Sequence, residues 1–585
     1  MTAKSSARAR ALCALLLVAL LIPFAAARAA QVPKERDSED PIWLLRHGQP
    51  MERLQDAHLA TPPQPTGAAR ATTSTITFGS FTSIQVNVNA LGNDIVGDAA
   101  NEPSLSVDPL DHNRMVIGWR QFDNVASNFR QAGFGYTTNG GTTWTAGKID
   151  AGVFRSDPVL DTDGNGNFFY NSLTGDLHAW VFKSTTGGAS WGAAVNAFGG
   201  DEQWMTLDRD LDNAYEFWSI VSNPSAPNTF DKSIDDAATW DSPSQLPNAP
   251  IWGTLTTASD HSLYVAGWAT DGLTDFTGEL RVDRSTDAQN HVTTAPTFTS
   301  ALADLGGFVN TGGPNPAGLL GQLWVAVDRS ATGRNGWVYL LSSVETPDDP
   351  MDVRFTRSTD GGQTWIPSVR VNDDTPGNRA FQWFGTMSVS PSGRIDAVWN
   401  DTRGSADSTI SALYYAYSLD AGTTWSPNQQ VSPTWNSTVG WPNQPKIGDY
   451  YQTVSDDSGL DVAYAATFNG GQNVWYLRIP NTSNPTGVAP LATNPHRLDT
   501  YPNPFSSQTE IRFDAPPSGA RVHLDVYDVA GHRVATLIDG VRSGPNQAAR
   551  WDGYASDGRA VPAGVYLCRM QVNGATLTRK LLRVR

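Results

Sequence analysis

Ser358-Thr359-Asp360-Gly361-Gly362-Gln363-Thr364-Trp365 is the stretch that decides the fold. An alternating apolar run at residues 353–356 leads into it, and Ser368-Val369-Arg370-Val371 follows. Two such runs around a glycine pair read as a β-hairpin. Ser358 and Asp360 can hydrogen-bond nearby backbone amides, and the two glycines supply positive φ. Thr364 and Trp365 restart the ladder, with the indole covering the hairpin.

Working outward, the same octet recurs at residues 137–144 (TTNGGTTW), 184–191 (STTGGASW), 233–240 (SIDDAATW) and 418–425 (SLDAGTTW), with a decayed copy starting at Ser285-Thr286-Asp287. In the first two, Asn139 and Thr186 stand where the others carry aspartate. The pattern S-x-D-x-G-x-T-W resembles the Asp box, or BNR repeat, of sialidases and related β-propellers. On that resemblance Asn139, Asp235, Asp360 and Asp420 are structural turn residues on outer hairpins, far from any channel.

A second repeat interleaves with the first. It consists of an aromatic or acidic residue, an alternating strand, a turn and a very apolar strand. Its copies lie at residues 102–119, 157–173, 202–220, 252–268, 322–341, 382–399 and 449–468. Six are followed by a true or decayed octet. The seventh is followed only by residues 473–479 (NVWYLRI), and residues 76–88 (ITFGSFTSIQVNV) could supply its missing outer strand. The expected fold is therefore all-β: a propeller over residues 76–480, of seven blades with six as the alternative, closed so that no sheet edge stays open.

The rest of the chain frames this body. Lys4, Arg8 and Arg10 precede an apolar run from Ala11 to Ala27, and Ala27-Arg28-Ala29 offers a cleavage site, so residues 1–29 read as a secretory signal. Residues 30–75 lack periodicity and read as a leader. No other stretch is long enough to cross a bilayer. Residues 481–498 are a linker rich in proline, asparagine and threonine. Residues 499–585 open on Tyr501-Pro502-Asn503-Pro504-Phe505, run through VYDVAGHRVATL and WDGYASDGRAVPAGVYLCRM, and end on the basic strand Arg579-Lys580-Leu581-Leu582-Arg583-Val584-Arg585. This order resembles both the flagellar hook-cap-type immunoglobulin-like domain and the C-terminal sorting domain of type IX secretion cargo. It implies a small β-sandwich for sorting or attachment, with secretion machinery as a partner and a secreted or bacterial cell-surface location. The tail uses arginine where the commonest form uses lysine.

The formal charge is −17, with the acidic excess in the middle of the chain. That argues against nucleic acid, which requires a basic footprint. Cys13 lies within the signal and leaves Cys568 alone, so no internal disulfide and no cysteine-based metal site are expected. No nucleotide loop, His-rich metal motif or cofactor motif is present. Residues 161–167 (DTDGNGN) match the first half of an EF-hand loop, but Ser172 stands at the twelfth place and the segment reads as a hairpin turn.

In a propeller the starts of the inner strands converge on one face around the channel. Here those starts carry Glu102, Asp157, Glu202 with Trp204, Trp252, Gln322 with Trp324, Gln382 with Trp383, and Asp449 with Tyr450 and Tyr451. Flat aromatics stack on sugar rings, and paired carboxylates can protonate a leaving oxygen and activate water. The expected function is binding of an extracellular glycan or protein through this face. The alternative is an exo-glycosidase, sialidase-type or another glycan hydrolase or lyase, using the same face. The sialidase resemblance implies three arginines on the substrate carboxylate, a tyrosine nucleophile paired with glutamate, and an aspartate acid/base. By role and position Tyr450 or Tyr451 is the tyrosine, Asp157 the acid, Glu202 a further catalytic candidate, and Arg120 and Arg155 the stand-in arginines. Arg403 ends a strand pair and could lie on the opposite face. The family's Arg-Ile/Leu-Pro motif is absent.

Overall fold

The computed structural model describes residues 56–60, 74–270, 276–292, 295–481, 498–513, 515–516, 519–528, 531–544, 547–572 and 575–584. The expected signal segment, most of the leader and residues 482–497 lie outside these. The chain divides into two compact units, Met1–Asn481 and Thr482–Arg585. Among the described residues every regular element is a strand, and no helix is long and apolar enough to cross a membrane.

In the first unit seven antiparallel sheets follow one another, each beginning at its innermost strand. Those strands are Ala99–Val107, Ser156–Thr162, Trp204–Asp208, Ile251–Thr257, Trp324–Val327, Gln382–Val389 and Gln452–Asp456. Each packs against the next, and the last packs back on the first. All seven wall one channel of about 260 Å³. Burial falls outward. Ala99–Val107 and Met115–Phe122 are buried throughout, whereas the outermost strand of that sheet, Thr145–Ile149, is largely accessible. Strands covered on both faces read as continuous apolar runs, which is why the inner pairs stand out in the sequence.

The seventh sheet joins the two ends of this unit. Gln452–Asp456, Gly459–Ala466 and Asn473–Pro480 are extended by Phe81–Gln85 and Thr75–Phe78, with Ser83 opposite Leu477. A hydrogen bond of 2.7 Å between the hydroxyls of Ser83 and Tyr464 fixes the seam.

The repeated octets form one kind of turn. Ser358 Oγ accepts from Gly362 N at 2.8 Å, and Asp360 accepts from Thr364 N at 2.9 Å and from Thr364 Oγ1 at 2.5 Å. Asp235 makes the same bonds to Thr239, and Asp420 to Thr424. Asn139 caps Thr143 N at 3.0 Å, and Thr186 caps Ser190 N at 2.9 Å. The copy at Ser285 keeps its network across a longer loop, with Asp287 accepting from Thr297 N at 2.9 Å and Thr297 Oγ1 at 2.7 Å. The octet tryptophans pack on the preceding sheet: Trp191 edge-on to Phe134, and Trp425 edge-on to Phe355. Gly422, at φ +78°, lets the turn touch that same phenylalanine, since an added Cβ would lie 2.0 Å from its ring.

Between the fourth and fifth sheets the chain makes an extra hairpin, Thr311–Gly312 with Asn315–Leu319. It is bolted to the segment before the seventh sheet. Buried Asn315 donates to Gly448 O at 2.7 Å and accepts from Ile447 N at 2.9 Å, and Ala317 N donates to Pro445 O at 3.2 Å.

The second unit has two sheets. One orders Leu498–Tyr501, Thr509–Phe513 and Gln547–Trp551; the other orders Arg533–Arg542, Ala520–Tyr527, Gly564–Val572 and Ala575–Arg583. They share one apolar cluster in which Trp551 meets Phe505 and Tyr566, and Cys568 is buried.

Candidate functional site

At the end of the ring where the innermost strands begin, four carboxylates from four sheets meet over the channel. Three of them arrive by a local distortion. In the first sheet Asn101 pairs with Arg120 but Ser104 pairs with Gly118, so one residue bulges out of the ladder. The same slip occurs between Ser156 and Val159 and between Ile251 and Thr254. Glu102 (φ +51°), Asp157 (φ +49°) and Glu202 (φ +57°) adopt the left-handed conformation. A non-glycine residue there costs on the order of 1–2 kcal/mol, and such costs gather at sites that use them. With Asp449, Gln203, Gln322, Leu319, Trp204 and Tyr450 these three residues line a cavity of about 10 Å³.

Cations lie among the acids. Arg120 Nε is 2.9 Å from Glu102 Oε2 and donates to Asn101 Oδ1 at 2.9 Å. Lys446 Nζ is 3.6 Å from Glu102 Oε1 and ion-pairs with Asp449. Arg130 Nε donates to Ser156 Oγ at 3.0 Å, and that hydroxyl donates to Asp157 Oδ1 at 2.5 Å. The extra hairpin covers the cluster: Leu319 N donates to Asp449 Oδ1 at 2.8 Å. Burial pushes Glu102 and Glu202 well above the carboxylate range. Burial, then repulsion from Asp157, lifts Asp201 to about 7. For Asp449 burial works upward too, but Lys446 and Arg120 outweigh it and hold the group at about 2. Burial lowers the buried Arg130 guanidinium to about 10.

Trp204 lines both this cavity and the channel beneath it. Its ring meets Trp324 at 5.2 Å and Tyr450 at 5.1 Å, both edge-on, so three aromatics separate the two spaces. Tyr450 donates to Pro158 O at 3.0 Å, and burial followed by the charges of Glu102 and Asp157 raises its pKa well above the usual range.

The structure thus brings Glu102, Asp157, Glu202, Trp204 and Tyr450 to one cavity, with Arg120 and Trp324 in contact with its lining. The remaining sequence candidates lie elsewhere. Tyr451 packs edge-on to Phe384 between sheets. Trp252 belongs to the apolar cluster between the fourth and fifth sheets. Trp383 is fully buried and donates to Ser411 Oγ at 3.0 Å. A register slip lies beside Trp252 and another beside Trp383 in their sheets. Arg403 corrects a topological expectation. Asp401 pairs with Gln382, so the end of the second strand lies beside the start of the first, on the same face. There Arg403 binds Asp373 at 2.6 Å and Asp401 at 2.8 Å, apart from the cavity.

Arg155 donates to Asp150 Oδ2 at 2.8 Å and lies 5.0 Å from the Phe182 ring centre. With Phe154, Trp180, Thr174 and Asp176 it lines an open cleft of about 380 Å³ at this same end of the second sheet. Trp180 is half-buried there and leaves part of its ring accessible. Asp201, Gln203, Leu319, Arg130, Lys446 and Trp180 were not singled out from the sequence. Gln203 sits between two residues that were, and Lys446 stands three residues before Asp449, whereas Leu319 and Trp180 carry no local signal.

Among the described residues two groups, neither of them in this cavity, hold three potential metal ligands each. Around Asp456 and Asp461, beside His112, the carboxylates are taken by Arg478 at 2.7 and 2.8 Å. In the other, Asp208 is hydrogen-bonded to His261 at 2.9 Å, with Asp210 alongside. In the EF-hand-like stretch Asp163 is committed to a turn, accepting from Asn165 N at 2.9 Å and Asn167 N at 2.8 Å.

Comparison with known proteins finds one family, described as a secretion system C-terminal sorting domain, matching residues 499–584. That domain supports secretion and attachment at the bacterial cell surface, and it implies interaction with the secretion machinery. No curated protein matches the chain. Among solved structures, a protein of unknown function from Dyadobacter fermentans is 13% identical over 69% of this chain and 99% of its own, with a TM-score of 0.39. A GH74 xyloglucanase from Xanthomonas campestris is 13% identical over 88% and 93%, at 0.38. A Trypanosoma rangeli sialidase bound to the inhibitor DANA is 11% identical over 90% and 88%, at 0.33.

Proposed function

We propose that this chain is a cell-surface, seven-bladed Asp-box propeller with an immunoglobulin-like sorting domain, and that it binds an extracellular glycan or protein through the face where the inner strands begin. The observation that carries this reading is the open cleft of about 380 Å³ at that face, where the accessible part of Trp180 stands beside Phe154, Arg155, Thr174 and Asp176. Its volume lies in the range of small-ligand sites, and its lining offers a flat apolar surface with polar groups at the edges, as a sugar requires.

The carboxylate cavity favours binding over sialoside hydrolysis. Its space is that of about one water, and Leu319 closes over it. Arg120, Arg155 and Arg403 are each paired with a carboxylate of the chain itself. The hydrolase reading keeps one supporting observation: Asp201 and Asp449, coupled within one cluster, are pushed apart to about 7 and about 2, as an acid and a base would be.

The test is a glycan array followed by calorimetry on any hit, with Trp180→Ala beside the unmodified chain. Loss of a stacked aromatic should weaken binding at least tenfold. An array without hits and an extracellular protein ligand indifferent to Trp180→Ala would sink the reading. Turnover of a fluorogenic glycoside, abolished by Asp449→Asn, would replace it with hydrolysis.

A further inference from the structure

The loop between the second and third strands of the first sheet holds a piece of the leader. Phe122 lies opposite Ala99, so this loop sits on the face where the inner strands begin. Residues 56–60 lie along it. Asp56 Oδ2 accepts from Asn128 N at 2.7 Å and from Asn443 Nδ2 at 3.1 Å. Ser127 Oγ donates to Ala57 O at 2.6 Å, and Asn124 Nδ2 donates to Ala60 O at 3.1 Å. Between these, His58 Nε2 lies 2.9 Å from Asp123 Oδ2, and its ring centre is 4.9 Å from that of Phe129.

The loop fixes its own donors. Asn124 Oδ1 accepts from Ala126 N at 3.0 Å and Ser127 Oγ accepts from Phe129 N at 3.0 Å, which turns the Asn124 amide nitrogen and the Ser127 proton toward the segment. Asn443 N donates to Ser127 O at 3.4 Å, joining the loop to the segment before the seventh sheet. Asp123 is 6% exposed; its Oδ1 is 2.5 Å from Lys148 Nζ, and its Oδ2 accepts from Gln131 Nε2 at 2.8 Å. Burial works upward on Asp123, but the bonds from Lys148 and then His58 outweigh it and hold the carboxyl below its ordinary value.

The occupant is held unlike the core. Ala57, His58, Leu59 and Ala60 are exposed. Little apolar surface is covered, so polar contacts carry the docking. Two of them go to backbone carbonyls, which any extended peptide presents. The others read a carboxylate and, two residues later, an imidazole nitrogen. An occupant held in this way can be displaced by another of the same chemistry.

We propose that Asp123, Asn124, Ser127, Asn128 and Asn443 form a peptide-binding groove, occupied here by the chain's own residues 56–60 as a built-in competitor. The partner it fits is an extended segment of another protein that carries a carboxylate and, two residues later, an imidazole or ammonium group. The groove shares no residue with the lining of the Trp180 cleft, so its partner does not depend on what that cleft takes.

The experiment frees the groove with Asp56→Ala/His58→Ala in the full chain. A fluorescently labelled synthetic peptide of residues 51–65 is then titrated with this variant and with the unmodified chain, read by anisotropy. A tethered competitor acts at an effective concentration of about 1 mM. The variant should therefore bind the peptide at least tenfold more tightly than the unmodified chain does. Adding Ser127→Ala/Asn443→Ala should weaken that binding at least tenfold, whereas adding Trp180→Ala should leave it unchanged. If the added groove changes prevent folding, the peptide carrying alanine at both of its anchor positions must show the same loss on the folded variant. No saturable binding to the folded variant, equal affinity for the two chains, or affinity indifferent to the groove and peptide changes would overturn the proposal. So would binding lost with Trp180→Ala, which would place the peptide in the cleft instead.

Discussion

Acidic residues do opposite things in an outer turn and at the start of an inner strand. Asp360 sits on an outer turn, exposed, with its carboxylate receiving the Thr364 hydroxyl and the amides of Thr364 and Gln363. The Thr364 hydroxyl bond, followed by the Thr364 amide bond, holds it at about 2. Glu202 sits at the start of an inner strand, on a left-handed backbone, and burial pushes it well above the carboxylate range. The outer acid is ionised and satisfied by its own turn. The inner one is desolvated and depends on what its neighbours supply. The turn is therefore a self-contained part that can be copied from sheet to sheet, whereas the inner face works only once the sheets have assembled.

The largest expected effect tests how far the turns serve the assembly. Gly422→Ala must hold φ near +78° and push its Cβ to 2.0 Å from the Phe355 ring of the preceding sheet. Strain and overpacking together should cost about 2–4 kcal/mol, read as a lower urea midpoint. Gly361→Ala has the same backbone strain (φ +71°) but meets the movable end of Arg284, so its loss should be about 1 kcal/mol. Equal losses would mean that the second glycine serves only its own turn.

Next comes the carboxylate itself. Asp360→Ala removes the acceptor for Thr364 N and Thr364 Oγ1 and should cost about 1–2 kcal/mol. Asp287→Ala should cost as much, because Asp287 makes the matching bonds to Thr297 despite the longer loop. A much smaller loss at Asp287 in thermal melting would show that the longer loop has ceased to act as one unit. The sign with pH is fixed. A carboxylate depressed to about 2 adds stability above its unfolded value near 4 and loses it as pH falls toward 2, so the wild type and Asp360→Ala should converge in acid.

This contrast also explains what could be read from the chain alone. The octets were legible because every bond in them is local: serine, aspartate, glycine and threonine within eight residues define one turn. The inner strand pairs were legible because burial on both faces leaves an apolar run. Residues 76–88 pair with a strand almost 400 positions later, yet they could be placed because the seventh repeat lacked an outer strand. The site was legible only in part. Glu102, Asp157, Glu202 and Asp449 were found from their common place in the repeat. The side on which Trp252 and Trp383 point depends on a one-residue bulge that no pattern announces, and Tyr451 packs against Phe384 of the neighbouring sheet. Leu319 reaches the cavity from an insertion between sheets, and Arg403 required the antiparallel pairing of Gln382 with Asp401 to be drawn out.

The smallest expected effect has the opposite sign and lies away from the carboxylate cavity. Glu216 and Asp231 face each other across two strands of the third sheet, both fully buried. Burial raises both. For Asp231, repulsion from Glu216 and then Asp241 adds to it, while the neighbouring Asn171 amide partly offsets the rise at Glu216. Each native carboxyl thus keeps its proton at pH values where the unfolded chain has released it, so stability falls as pH rises above about 4. Asp231→Asn keeps the shape and removes one titration. It should match the wild type at pH 4, become equal or more stable by about 1 kcal/mol at pH 8, and flatten the decline of the melting temperature between them. An outer-turn substitution at Asp360 should do the reverse, losing most at pH 8 and least in acid. If Asp231→Asn instead destabilises at pH 8, the pair is ionised and matched by a cation. The inner acids would then resemble the outer ones in being satisfied, differing only in what satisfies them.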